Sequence, residues 1–422
     1  MHVYLSTSRG ELRHDVSPDV AIRQRGQIAP VALFGILIAS AVLALMFDTS
    51  QKITSRSLVA NAADAAAYSG AVWTARHLNF MAYTNRAMIA NHAAVGHFIS
   101  YVSWIRYVDD SIDYIDRVAQ WIPYAGQYVD LVQQLVDEVR DVTEETAKAA
   151  VPAIDGWNAT LRAAQVETKA SLAAGHLQEL MEQTARVHDP AIRINAVDDL
   201  RSLPAELRAA LEAQLLEQRI TIPNFVQRHA AGNDRNRSRE LVRASLQAND
   251  DVRRWINGDR GWREDLTLAQ IRKRGSSTQT QGSSNADWNA ADELLYRKRD
   301  LTGWGRWQRV GDRTSKASAR EFASNYAGIH AYYNVPGEPG NKALRIVALA
   351  TLRSSGVAVA NPGGMNSFDH PIAVAAFACV EFHRPATGGF AKLAGNSQEY
   401  ANLFNPFWEA HLAPADFSRG MQ

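Results

Sequence analysis

The residue types that could do chemistry are present in this chain, but their spacing does not assemble a site. His92 and His97 are five positions apart, so on a helix they project about 140° away from each other and cannot share an ion. A zinc site on one helix needs His-x-x-x-His and a third ligand, so both histidines read as core or surface residues. Glu381 and His383 alternate along a predicted strand and share a face, a ligand pair that nothing nearby completes. Asp109, Asp110, Asp113 and Asp116 crowd one segment without the central glycine and closing glutamate of a calcium-binding loop; they read as a solvated helix face. Gly-x-Ser-x-Gly elbows, phosphate-cradling glycine loops and Cys/His clusters do not occur. The single cysteine, Cys379, lies in an apolar run, cannot form an intramolecular disulfide, and reads as a small buried hydrophobe. No catalytic residue, metal ligand or cofactor site is therefore expected, and the chain does not read as an enzyme.

Charge argues against nucleic acid as well. The 45 basic and 44 acidic residues nearly cancel, so no global field attracts a polyanion. The Arg-rich stretch 228–274 could form a local patch, with Trp255 and Trp262 as stacking platforms, but acids are interleaved throughout it. Two tryptophans among helix-like text more often anchor a packing surface.

The elements that position these residues begin with an uncharged apolar run over 28–47. Ile28, Leu33, Phe34, Leu37, Val42 and Phe47 mark it, and no Asp, Glu, Lys or Arg interrupts it. Roughly 20 helical residues span the ~30 Å hydrocarbon core of a bilayer. A cleaved signal peptide would have a shorter apolar region followed by a small-residue cleavage site, whereas the text here continues as helix. Arg9, Arg13, Arg23 and Arg25 precede the span, and only Lys52 and Arg56 closely follow it. The positive-inside rule then places the arm 1–27 in the cytoplasm and the bulk of the chain outside.

No proline falls between Pro30 and Pro123, so residues 48–122 are expected as an extended amphipathic helix. Val95, Ile99, Val102, Ile105, Val108, Ile112, Ile115 and Ala119 draw its apolar stripe, with Arg106, Asp110, Asp113 and Arg117 opposite. Residues 123–227 read as a helical bundle or stalk: one helix ending before Pro152, a second over 157–186, and a third capped near Ser202 and ending before Pro223. Residues 228–310 read as a polar Arg-rich region whose 275–284 segment is a Gly/Ser linker. Residues 311–422 carry three β-prone runs (328–335, 343–353 and 372–384) separated by turn signals, which predicts a small α+β domain with an antiparallel sheet. The fold class is mainly α: a single transmembrane helix continuing into a long helix and bundle, closed by that α+β domain.

A resemblance then attaches to the N-terminal text. Arg25-Gly26-Gln27-Ile28-Ala29-Pro30, an apolar span ending at Asp48, and the block Asn61-Ala62-Ala63-Asp64-Ala65-Ala66-Ala67-Tyr68-Ser69-Gly70-Ala71 resemble the N-terminal segment of TadE/TadG-like Flp pilus-assembly proteins. Tyr83-Thr84-Asn85-Arg86-Ala87-Met88-Ile89-Ala90-Asn91 is similar to text in larger members of that group. The resemblance covers about residues 23 to 95. It implies a single-pass component anchored in the bacterial inner membrane with its body in the periplasm, a structural or assembly part rather than an enzyme. Its implied partners are other pilus or secretion-apparatus subunits, and self-association into a homo-oligomer fits too. Beside it, the small-x-x-x-small pairs Ala62–Ala66 and Ala63–Ala67 would let another helix approach closely. Cleaved pilins carry glutamate five residues after the cut glycine; counted from Gly26 that position is Val31, which favours an uncleaved anchor. The competing reading is a membrane-tethered sensor or ligand-binding protein, with a pocket at His330, Tyr332 and Glu381.

Overall fold

The computed structural model describes residues 28–119, 126–173, 175–201, 203–228, 242, 246, 250–257, 260–281, 286–301, 303–310, 314–329, 338–339, 343–353, 372–383 and 400–414. The arm 1–27, the cap Ser202, and His330 and Tyr332 lie outside them, as does nearly all of the predicted 328–335 strand. Within them the chain is mainly helical with antiparallel sheets toward its C-terminal end.

Helix α1, Ile28–Ala119, is one uninterrupted element of 92 residues, about 138 Å long at 1.5 Å per residue. Helix α2, Gly126–Ala173, folds back along it. Arg140 Nη1 bonds Asp109 Oδ2 at 2.6 Å, Arg106 Nε bonds Glu144 Oε1 at 2.7 Å, and Asn91 Nδ2 bonds Asn158 Oδ1 at 2.8 Å, an antiparallel register. Pro152 does not end this helix as the sequence suggested, nor does Pro223 end its later counterpart. A proline removes one hydrogen bond; burial of Ala147 and Val151 against α1 holds the helix through it. The break falls instead at Gly175, whose φ of 80° is left-handed, and α3 (His176–His188) follows.

Short β1 (Ile192–Ile194) and α4 (Val197–Leu200) lead to α5, Ala205–Arg228. A further helix, α6 (Asp250–Asn257), precedes a hairpin-rich region: β2 (Trp262–Asp265), β3 (Ala269–Gln281), β4 (Ala286–Asp300), β5 (Gly303–Trp304), β6 (Gln308–Arg309) and β7 (Ser315–Ser318), then α7 (Ala319–Phe322). The C-terminal part holds β8 (Glu338–Pro339), β9 (Leu344–Leu352), β10 (Ile372–Phe382), β11 (Tyr400–Ala401) and β12 (Trp408–Ala413).

Two sheets pack at different levels of α1. The proximal one, nearer the apolar head of α1, is antiparallel with order β1-β9-β10-β12. Along β9, Leu344, Ile346, Ala348 and Ala350 face the core built on α1 and α3, while Val347 and Leu349 face α4 and α5. Cover on both faces explains why β9 and β10 read as continuous apolar runs. The sheet recruits β1 from far upstream, so it is not a module confined to 311–422.

The second sheet is built on β3 and β4, paired from Ala269↔Lys298 to Gln281↔Ala286. Gly275–Gln281, read from the sequence as part of a linker, are therefore strand. Over 272–278 of β3 burial alternates strictly, Lys273, Gly275 and Ser277 in, Arg272, Arg274 and Ser276 out. The inward positions are polar or small, so the period-2 pattern leaves no trace in hydropathy. Gly275 is required there: a Cβ would lie 2.0 Å from Asp292 Oδ1.

Candidate membrane anchor and assembly surface

The anchor is built from the first turns of α1. Its best 18-residue window has a mean hydropathy of 2.5 with none of it buried. Leu33, Phe34, Leu37, Val42 and Phe47 are all exposed, although each is a residue that water disfavours. Ile28 opens the helix; Arg25 and Gly26 fall outside the described residues. Lys52 Nζ reaches Asp48 Oδ2 at 2.9 Å, one turn back, where the apolar run ends.

Immediately beyond, the small-residue stripe is fully buried. Ala62, Ala63, Ala66 and Ala67 have no exposed surface, and they join one core with Met181 of α3 and Ile346, Ala348, Ala378 and Val380 of the proximal sheet. The elements that cover this stripe belong to this chain. Asn61 and Asp64 sit on the opposite, exposed side of α1. Small side chains let the sheet lie almost on the helix backbone.

Higher up, polar residues act as brackets. Asn79 clamps the start of β12 with both amide atoms: Nδ2 donates to Trp408 O at 2.9 Å and Oδ1 accepts from Trp408 N at 3.0 Å. Asn85, fully buried, donates to Leu403 O and accepts from Gln165 Nε2 at 2.8 Å. Arg86 lies 6.0 Å over the Phe404 ring, and Asn91 holds Asn158 of α2. The Asn85–Arg86–Asn91 block thus ties α2 and the 403–404 segment to one helix.

His92 is entirely buried; its Nδ1 is 2.6 Å from the Tyr326 hydroxyl, and its backbone carbonyl accepts from Trp288 Nε1 at 2.7 Å. Burial alone pulls its pKa from 6.5 to about 3, so the ring is neutral. His97 stacks on Tyr101 with centroids 5.1 Å apart, so the two histidines are separately employed. Asp109, expected in a solvated face, is nearly buried and accepts from Arg140 and Gln133, and Asp110 accepts from Ser315 Oγ at 2.6 Å. Arg106, placed on the solvated side by its spacing, joins Glu144 and Glu321 at 2.7 and 2.6 Å. Helix periodicity alone cannot foresee these bonds, because they come from α2, β7 and α7.

One buried cluster had no signal in the sequence. Asp292 accepts from Lys273 Nζ (2.6 Å), Arg260 Nη2 (3.1 Å) and Ser103 Oγ (2.7 Å). All three ionic side chains are essentially inaccessible. Burial lowers the Lys273 pKa, opposed by its bond to Asp292. The lysine tip also lies 5.0 Å over the Tyr107 ring. The cluster joins α1 to the β3–β4 hairpin and is closed to solvent, which suits a structural joint and not a reactive site.

Among the described residues, no group of three or more His, Cys, Asp or Glu side chains could hold a metal ion. Glu381 lies 3.7 Å from His411 of the neighbouring strand β12, not in a ligand set with His383. A groove of about 720 Å³ runs between α1 and α2, lined by alanines with Phe98, Tyr101 and Val142. It lies away from Glu381, on a different pair of elements.

No curated protein and no solved structure matches the chain. Residues 26–73 match a protein family described as "Putative Flp pilus-assembly TadE/G-like". The match opens at the start of the apolar span and closes at Trp73, just past the buried Ala62–Ala67 stripe, so it covers the candidate anchor and part of the α1 segment seated in the proximal sheet. The N-terminal region of this chain is thus similar to a TadE/G-like Flp pilus-assembly segment over residues 26–73.

Proposed function

We propose that the chain is a single-pass structural or assembly component of a Tad/Flp-type pilus or related secretion apparatus, held in the bacterial inner membrane. Its N-terminal arm lies in the cytoplasm and its body in the periplasm, and it works through protein contacts with other subunits of that machine. The observation that carries this reading is the coincidence of the matched segment, 26–73, with the exposed apolar span and its buried root. The same residues that would hold the chain in a bilayer continue without a break into the rod that carries the folded body. Ala62, Ala63, Ala66 and Ala67 serve that root from within, and Asn85, Arg86 and Asn91 fix the body to the rod. The membrane-span residues do their work through apolar transfer: each central leucine, isoleucine or phenylalanine favours insertion by about 0.3–0.6 kcal/mol.

Deleting the gene is expected to abolish surface pili, seen by electron microscopy, while general secretion continues. Purification from solubilised membranes is expected to recover pilus-machine subunits. Normal piliation in the deletion strain would refute the assignment.

A further inference from the structure

The end of the distal sheet farthest from the anchor carries an unusual surface. Leu266 and Leu268 occupy the β2–β3 turn and Leu301 the β4–β5 turn; they are 50%, 72% and 107% exposed. The two turns are neighbours: Leu266 N donates to Ala269 O at 2.8 Å, and Arg299 N donates to Leu268 O at 2.9 Å. Trp304, also exposed, follows the second turn, and the Arg297 guanidinium sits between the rings of Trp304 and Trp307, at 5.2 and 4.8 Å. Over 262–272 and 296–309 the sequence holds seven Lys or Arg against three Asp or Glu. A single exposed leucine needs no explanation. Three on adjacent turns, ringed by tryptophan and arginine, have the composition of an element that enters a lipid interface.

The placement follows from the register of β4 on α1. Trp288 bonds His92, Asp292 bonds Ser103, and Lys273, paired with Leu294, covers Tyr107. The strand therefore runs alongside α1 in the same direction, and Leu301 lies level with the distal end of that helix. From Phe47 to Ala119 the helix rises roughly 110 Å.

We propose that these paired turns are a peripheral docking site for an anionic lipid surface, the leucines inserting and the surrounding Lys and Arg side chains engaging the headgroups. Basic side chains near an anionic bilayer each contribute attraction that falls off within a Debye length, and tryptophan favours the headgroup level. Together with the anchor of the proposed function, this makes the chain a strut between two lipid surfaces; the tip's own affinity for lipid does not rest on that reading.

The full chain, held in phosphatidylcholine nanodiscs, is mixed with vesicles containing roughly one-third phosphatidylglycerol and floated on a density gradient. Co-flotation is expected. It should drop about tenfold or more in L266S/L268S/L301S, and also with added salt or with phosphatidylcholine vesicles. The altered leucines are exposed, and far-UV circular dichroism checks that the variant is folded. Failure of the wild-type chain to float with the anionic vesicles, or equal flotation of the triple variant, overturns the proposal. Entry into the nanodisc is scored separately: a chain that stays out refutes the anchor, and flotation is then read on the chain in solution.

Discussion

Replacing Asp292 by alanine should be among the most destabilising single changes in this protein. The carboxylate is inaccessible and accepts from Lys273 Nζ at 2.6 Å, from Arg260 Nε and Nη2 at 3.2 and 3.1 Å, and from Ser103 Oγ at 2.7 Å. Removing it leaves two buried cations without their counter-ion, a loss of about 3–5 kcal/mol. Arg260 keeps a bond to Trp255 O at 2.8 Å and the Trp255 ring at 5.7 Å, so it stays charged at reduced cost. Lys273 has the Tyr107 ring beneath it, and burial already favours its neutral form, so loss of its proton limits the penalty. Asp292→Asn retains acceptor geometry and should cost about half as much as Asp292→Ala. Adding Lys273→Met to Asp292→Ala should recover part of the loss, because the stranded ammonium is gone. Urea titration of the solubilised chain gives the magnitude, and hydrogen exchange at β3 and β4 amides shows whether the hairpin detaches from α1. A cost below about 1 kcal/mol for Asp292→Ala, or strict additivity with Lys273→Met, would refute the joint.

Three further outcomes follow from named contacts. His92 titrates near 3 when folded and near 6.5 when unfolded, so the unfolded chain takes up the proton first. Stability is then complete above 6.5 and falls as pH drops toward 3, by about 2 kcal/mol at pH 5; H92F should flatten that slope in denaturant titrations run across pH, and an unchanged slope would sink the assignment. Gly96→Ala puts a Cβ 2.5 Å from Trp288 Cε2, on a ring pinned by its bond to the His92 carbonyl; a loss of about 1–3 kcal/mol with a shifted tryptophan emission is expected, and wild-type values for both would show that the contact is soft. Leu37→Arg with Val42→Arg adds about 5–7 kcal/mol against insertion, and alkaline extraction should release the variant from membranes that retain the wild-type chain; retention of both would argue against the span.

Some of the architecture was legible because hydropathy encodes it directly. The uncharged run 28–47 and the absence of proline between Pro30 and Pro123 specify a long helix with an apolar head, which α1 is. The runs around Leu344–Leu352 and Ile372–Phe382 show as strands because both faces are covered. Lys273, Gly275 and Ser277 hid a third strand, since polar inward residues cancel the alternation that marks a strand. Pro152 and Pro223 misled for a related reason: a local helix breaker was outweighed by packing along α1 and the proximal sheet.

The sequence by itself determined the apolar head of α1, the continuity of that helix and the TadE/G-like text, because these depend on composition and on neighbours a few residues away. It also contained the alanine stripe, but not what would cover it. Only the tertiary structure decided that Ala62–Ala67 seat the chain's own sheet, that Asn79, Asn85 and His92 bind partners more than two hundred residues away, and that Asp292 gathers two cations. A buried charge or amide is defined by what surrounds it after folding, and those partners are strangers along the chain.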